Sequence, residues 1–387
     1  MGSATRFGDD LDFLQRHTET VVLSEPRGAA RVALCPALQG RVATSTTGDL
    51  AGPSFGWLNR ELIASGKSVP HMNVYGGEDR FWLGPEGGQF SLFFAPGAPQ
   101  DLAHWQTPAP IDAEPFTLAD RAQDRALLRK TMHLTNASGT LFDLEVEREV
   151  RLLSTQQSWN ETGVAPGSRV SVVGFESRNR VTNRGTMPWR HDSGLVSIWI
   201  AGTFAPSPST VIVVPFRPGA EAELGPIVND QYFGRVPSDR LAVGGSAIYF
   251  RGDGRQRGKI GVSPRRARPS LGSYDADGGV LTLVTYTLPA GARDYVNSLW
   301  EQQREPYRGD AINSYNDGPP TPGGHPLGPF YELETSSPAL TLAPGESAEH
   351  VHRTLHFVGA PEGLDAVALG SLGVGSAEIT SAFSGAA

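Results

Sequence analysis

The sequence predicts a single all-β domain, an antiparallel β-supersandwich with little helix. Three observations predict it. Apolar residues recur at alternate positions in many short stretches, the period of a strand with two unlike faces. The 46 glycines and 30 prolines are spread between those stretches, where they read as tight turns. No ten-residue helical pattern alternates with the strands, which argues against a parallel α/β sheet. The length of 387 residues allows more than one domain. No linker-like composition and no short repeat divides it, so residues 1–387 are read as one domain, with 1–20 as an N-terminal extension.

Taken in chain order, residues 7–16 form a short amphipathic helix with Leu11 and Leu14 on one face. The clearest strand runs from Leu141 to Leu152. Phe142, Leu144, Val146, Val150 and Leu152 point one way, and Asp143, Glu145, Glu147, Glu149 and Arg151 the other. Val170–Phe175, Val196–Ile200 and Thr210–Val214 are further apolar runs of sandwich-core type. Val280–Leu288 alternates with threonines. Tyr295–Arg304 reads as a helical turn with Trp300 inward. Val351, Leu355 and Phe357 alternate with His352, Thr354 and His356 in a last strand. The tail, 360–387, is rich in Gly, Ala and Ser and is expected to pack weakly.

Composition excludes several classes of partner. A formal charge of -8 argues against nucleic acid and anionic membrane, both of which need a basic field. The cluster Arg265, Arg266 and Arg268 is the one basic concentration and reads as a solvated loop. A single cysteine, Cys35, rules out an internal disulfide. No run reaches the roughly 20 apolar residues of a membrane span. Asp9, Asp10 and Asp12 stand where a signal peptide needs apolar residues, so the expected location is cytoplasmic, or secreted or periplasmic if a leader has been removed. The oligomeric state is not legible.

Four stretches carry residues suited to chemistry. In 71–89, glycine pairs bracket Glu78, Asp79, Arg80, Phe81, Trp82 and Glu86, with His71 at the start. An aromatic platform beside planar polar groups is the mixture a sugar needs. A structural loop with an internal Arg–carboxylate pair would use the same residues. In 179–192, Asn183 ends a strand and His191 and Asp192 follow, His191 being a candidate general acid. A histidine merely hydrogen-bonded to Asp192 is the plainer reading. In 307–318, Asp310, Asn313, Tyr315 and Asp317 offer oxygens to a sugar, and their spacing matches no standard calcium loop. The nine histidines show no zinc-type spacing, so no metal and no cofactor is expected. In 328–347, Glu332 and Glu334 alternate with Tyr331 and Leu333, which puts both carboxylates on one face of a strand. Two exposed carboxylates on a wet face would serve equally well.

Within this fourth stretch, Leu333-Glu334-Thr335, then Pro338-Ala339, then Leu342-Ala343-Pro344-Gly345-Glu346 leading into a last strand resembles the C-terminal catalytic segment of aldose 1-epimerases of the galactose mutarotase-like superfamily. The resemblance implies the galactose-mutarotase-like supersandwich and places the general base on Glu334. Thr182-Asn183 resembles the segment that leads into the family's catalytic histidine, but Arg184 stands in the next position. The acid then falls to His191, with His71 in reserve. The 76–82 and 313–318 stretches are not typical of aldose epimerases and are similar to a bacterial branch of the superfamily. The resemblance implies a sugar or glycan substrate and an isomerase working by acid/base catalysis at or next to the anomeric carbon. The same fold supports polysaccharide lyases and glycoside hydrolases, which would draw on Glu332, Glu334, Asp192, Asp310 or Tyr315, and non-catalytic glycan-binding modules.

Overall fold

The computed structural model describes residues 5–26, 28–166, 169–321 and 323–384. Among these, three sheets form, and every strand pairing in them is antiparallel. The largest has ten strands in the order 241–243, 247–251, 210–215, 270–275, 280–286, 347–359, 170–183, 141–153, 125–135 and 117–121. A second has five, in the order 258–262, 312–316, 331–336, 197–204 and 80–84. A small third sheet joins 21–24, 31–35 and 41–46. This is the antiparallel β-supersandwich expected from the period-two pattern.

The core follows from the alternation. Ile198, Ile200, Phe81 and Leu83 of the five-stranded sheet meet Val146, Val150, Phe175 and Val181 of the ten-stranded one. Ile260, Val262, Ile312, Tyr331 and Leu333 meet Ile212, Val214, Phe250, Leu271 and Val284. Polar side chains are threaded through this apolar layer. Arg148, fully buried on the strand Leu141–Leu153, pairs with Asp79 and donates to Asn179 Oδ1 at 2.7 Å. His350 and His352 both lie within hydrogen-bonding distance (2.9 Å) of the Thr335 hydroxyl. Burial pushes the two imidazoles down, to about 3 and about 4, so they sit in the core uncharged.

The outer face of the ten-stranded sheet is treated in two ways. Around the strand Leu141–Leu153 it is wet and carries cross-strand ion pairs, among them Arg129–Glu147, Arg180–Glu147 and Arg184–Glu145. Around 210–215, 280–286 and 347–359 it is apolar, with Val211, Val213, Leu281, Leu283, Leu355 and Phe357 pointing out. The tail covers it. Pro361–Leu372 and Ser376–Ser381 are helices, and Leu364, Val367, Leu372 and Ile379 are buried against that face. The weak packing expected of 360–387 is therefore corrected for the described residues: small residues let the helix lie close to the sheet. The last strand is consequently buried on both sides, with its histidines inside the sandwich and its apolar residues under the helices.

The N-terminal helix forms as expected, over Phe7–His17. Phe7 and Leu14 are fully buried in a cluster with Ala33, Cys35 and Ala43. Two other expectations change. Residues 295–304 form no helix, because Gln303 Nε2 donates to the carbonyls of Asn297 and Leu299, at 3.0 and 2.8 Å, and holds the chain in a loop. The basic cluster is not simply solvated either. Arg266 is 1% exposed and donates to the carbonyls of Arg217, Gly219 and Gly225, tying two loops together. Among the described residues no helix is long and apolar enough to cross a membrane.

Candidate active site

The five-stranded sheet has a second face, opposite the core, and strand register decides what stands on it. Residues directly paired across antiparallel strands point to the same side. Arg80 and Glu334 both pair with Ala201, one from each neighbouring strand. Glu334 in turn pairs with Asn313. One row along, Thr203 pairs with Glu332, Glu332 with Tyr315, and Tyr315 with Lys259. On the other side Trp82 pairs with Trp199. Five strands thus place a guanidinium, an ammonium, two carboxylates and three aromatic rings on one surface. Loops wall it into a cleft of about 190 Å³, contributing Met72, Glu86, Trp105, Phe233, Trp300, Asp317, Leu327 and Phe330.

The carboxylates of the floor are each held by a cation. Arg80 Nη2 donates to Glu332 Oε1 at 3.2 Å, and the Thr203 hydroxyl donates to the same oxygen at 3.2 Å. Lys259 Nζ donates to Glu334 Oε2 at 3.2 Å, and the Trp199 indole N–H joins it at 2.9 Å. Glu334 is 1% exposed, and its Oε1 has no partner among the described residues. The indole nitrogens of Trp82 and Trp105 are likewise buried without a partner among the described residues. Buried polar atoms are nearly always paired, and three of those that are not fall around this cleft. The rings are well fixed. Arg80 lies 3.5 Å from the Trp82 ring centroid, Trp82 meets Trp199 edge-on at 5.2 Å, and Trp105 stacks on Trp300 at 5.8 Å.

Electrostatics follow from burial with a few fixed charges. Burial raises the Glu86 carboxyl above its ordinary value; Lys259 opposes this and Glu334 adds to it. Burial also raises Glu332, against Arg80 and with Glu334. For Lys259 burial acts to lower the ammonium, but Glu334, Glu86 and Glu332 outweigh it and the net direction is up. The cleft therefore holds an ammonium that keeps its charge beside carboxyls that hold protons more firmly than usual.

The structure distributes the predicted residues unevenly. Arg80, Trp82, Glu86, Tyr315, Asp317 and Glu332 line the cleft. Glu334 does not form the wall itself; its two bonding partners, Trp199 and Lys259, do. Asp310 and Asn313 lie next to it around a small hollow that shares Trp199 and Lys259 with the cleft. There the Tyr232 hydroxyl donates to Asp310 at 2.8 Å and Asn229 Nδ2 at 3.2 Å. Burial lifts Asp310 to about 6, while those two bonds and Lys259 act against the rise.

Other residues are elsewhere. Glu78 is in the core, accepting from the Ser45 N–H at 2.5 Å and its hydroxyl at 2.8 Å, and lying 2.9 Å from His356 Nε2. Asp79 is in the core with Arg148 and Ser177. Asn183 staples a turn, donating to the carbonyls of Met187 and Leu342 at 2.9 and 3.0 Å. His191 and Asp192 are exposed, and His191 Nε2 sits 3.2 Å from Asp294. His71 has its Nδ1 at 2.5 Å from the Trp105 carbonyl, and only its neighbours Met72 and Trp105 reach the cleft.

Sequence reasoning missed Trp199, Lys259, Arg257, Trp105, Phe233 and Trp300. Trp199 was hidden inside the apolar run Ile198-Trp199-Ile200. Lys259 had a signal: a lysine flanked by Gly258 and Ile260 in a short strand is an unusual inward cation.

No curated protein matches the chain. Among solved structures, the Slr1438 protein of Synechocystis sp. PCC 6803 is similar with a TM-score of 0.52 and 13% identity, over 88% of this chain and 96% of that one. A protein of Escherichia coli K12 described as a "putative aldose 1-epimerase" is similar with a TM-score of 0.50 and 13% identity, over 88% and 99%. A galactose mutarotase-like protein of Lactobacillus casei ATCC 334 follows at 0.49 and 10% identity, over 87% and 100%. The likeness to the first two shows the fold alone: the chain has the fold of the Escherichia coli protein so described. A family model described as "Family of unknown function (DUF6786)" matches residues 5–383.

Proposed function

The chain belongs to the Family of unknown function (DUF6786), and from its cleft we propose that it is a carbohydrate-active enzyme, an isomerase that works by acid/base catalysis at or next to the anomeric carbon of a sugar. One observation carries the reading. Two carboxylates share one sheet face, each held by its own cation: Glu332 lines, with a third carboxyl, Glu86, a cleft walled by indoles, and Glu334 lies directly behind the Trp199 and Lys259 of that wall. Indole faces take the C–H surface of a sugar ring, and charged planar groups take its hydroxyls.

Interconversion of anomers needs one group to accept a proton and another to give one. Glu334 is the base: Lys259 donates to its Oε2, and its Oε1, without a partner among the described residues, takes the proton of the anomeric hydroxyl. Glu86, whose carboxyl burial raises above its ordinary value, gives a proton to the ring oxygen. The bond between the anomeric carbon and the ring oxygen breaks, the carbonyl carbon turns, and reclosure with the two protons returned gives the other anomer. Arg80 with Glu332 orients the ring hydroxyls. His191 and His71 have no part in this scheme: His191 is exposed beside Asp294, and His71 Nδ1 faces the Trp105 carbonyl.

Polarimetry on freshly dissolved monosaccharides tests it. The expected result is accelerated mutarotation that Glu334→Gln lowers by about a hundred-fold to ten-thousand-fold, with Glu332→Gln costing less. A variant Glu334→Gln at near wild-type rate removes Glu334 from the role of base. Sugar-dependent thermal stabilisation without turnover would instead mark a binding module. New ultraviolet absorbance from uronate-containing glycans would mark a lyase.

A further inference from the structure

We infer that the sugar taken by this cleft carries an anionic substituent, a carboxylate or a phosphate, received by the guanidinium of Arg257; the inference rests on the sugar-binding reading above. Three cations line the cleft: Arg80, Arg257 and Lys259. Two are committed, Arg80 to Glu332 and Lys259 to Glu334. Arg257 is different. Among the described residues its guanidinium has no carboxylate within ion-pair distance and no hydrogen bond, and its one recorded partner is an aromatic face.

That side chain is nevertheless held in place. Its guanidinium carbon lies 3.7 Å from the Phe233 ring centroid, an attraction that fixes the plane of the fork while leaving its N–H edges free. Its backbone is locked as well. At Gly318 a Cβ would come within 2.5 Å of the Arg257 nitrogen and 2.6 Å of Gln256, so only glycine lets the two loops press together. Asp317, next to that glycine, is the acid one would expect to satisfy the guanidinium. Both of its oxygens are taken, Oδ1 by the Tyr315 hydroxyl at 2.7 Å and Oδ2 by the Gly328 N–H at 2.9 Å. A half-buried, pre-oriented fork of donors with no internal acid is the arrangement that receives an oxyanion in two parallel hydrogen bonds. Lysine in its place would supply the charge without the fork.

Calorimetric titration with matched sugars decides it: glucose against glucuronate and glucose 6-phosphate, and galactose against galacturonate and galactose 6-phosphate. In the wild-type protein at least one anionic sugar binds at least about tenfold more tightly than its neutral counterpart, the return on a charge-assisted contact. The carboxylate and phosphate arms tell which anion it is. Arg257→Gln removes that excess and leaves the neutral sugar within about twofold of wild type, and Arg257→Lys keeps part of it. Unchanged circular dichroism and melting establish that both variants fold. Equal binding of neutral and anionic sugars, or a preference that survives in Arg257→Gln, overturns the inference and leaves the sugar-binding reading standing. Binding of none of the six sugars overturns both.

Discussion

At the scale of single residues, three charged side chains adjacent in sequence, Glu78, Asp79 and Arg80, divide between the core and the cleft. Glu78 and Asp79 sit beside Arg80, in a glycine-rich stretch that reads as one ligand loop. Their carboxylates end in the core, with His356 and Arg148 respectively. For Asp79 the reason is backbone alternation, since Arg80 opens a strand on the opposite face; Glu78 lies before that strand, after Gly77 with its positive φ of 102°, where period two does not hold, and nothing in the residue types says which face is wet. The cost of burying charge explains why the partners had to exist, yet Arg148 looked like one more polar residue in Leu141–Leu153. Asp310 gives a test at this scale. Its folded-state value of about 6 lies above the ordinary 3.8 because of burial. A raised carboxyl stabilises the fold fully below the unfolded value, and that contribution is lost as pH rises through the folded one. Asn at this position mimics the protonated form and does not titrate. The stability of Asp310→Asn relative to wild type should therefore climb by about 3 kcal/mol between roughly pH 4 and pH 7. Urea unfolding across that range measures it, and a flat difference would return Asp310 to the ordinary carboxylate range.

At the scale of elements, legibility tracked how differently the two faces of each strand are solvated. The strand Leu141–Leu153 was plain because one face is wet, and the N-terminal helix because its apolar residues keep helical spacing. The strand Ser347–Gly359 showed the same alternation, yet over His350–Phe357 both sets are largely buried, the histidines facing the second sheet and Leu355 and Phe357 lying under the C-terminal helices. Small residues made those helices look like loose chain, although the apolar outer row of Val213, Leu281, Leu283 and Phe357 requires a cover. The loop 295–304 misled in reverse, since its apolar spacing fits a helix while Gln303 binds the carbonyls a helix would use. Leu364, fully buried in the helix Pro361–Leu372, measures the importance of the cover. Leu364→Ala should cost about 2–5 kcal/mol in chemical denaturation, the range for a large-to-small change in a packed core. A loss within about 0.5 kcal/mol, the size of an ordinary surface substitution, would mean that the tail packs as loosely as its composition implies.

For the molecule as a whole, fold and site are products of the same alternation. One face of the five-stranded sheet closes the sandwich, and the other, left free by that closure, collects the charged and aromatic residues. Sequence reading found the strands that supply Arg80, Tyr315, Glu332 and Glu334 as separate clues. Their convergence on one surface rests on strand order, with 197–204 lying between 80–84 and 331–336. The aromatic walls have an optical consequence. Of the seven tryptophans in the chain, Trp82, Trp105, Trp199 and Trp300 stand in the cleft. The indole of Trp199 donates to a carboxylate and lies 4.8 Å from the Lys259 ammonium, an environment that sets its emission by local charge and hydration. Any solute that displaces water from the cleft must change the colour and intensity of the protein's own fluorescence, so the chain carries a built-in gauge of occupancy. Titrating a bound sugar should give a saturable emission change that Trp159→Phe, in the distant core under the C-terminal helices, leaves intact and Trp300→Phe diminishes. Emission that stays constant while calorimetry records saturation would place the ligand somewhere other than among these four rings.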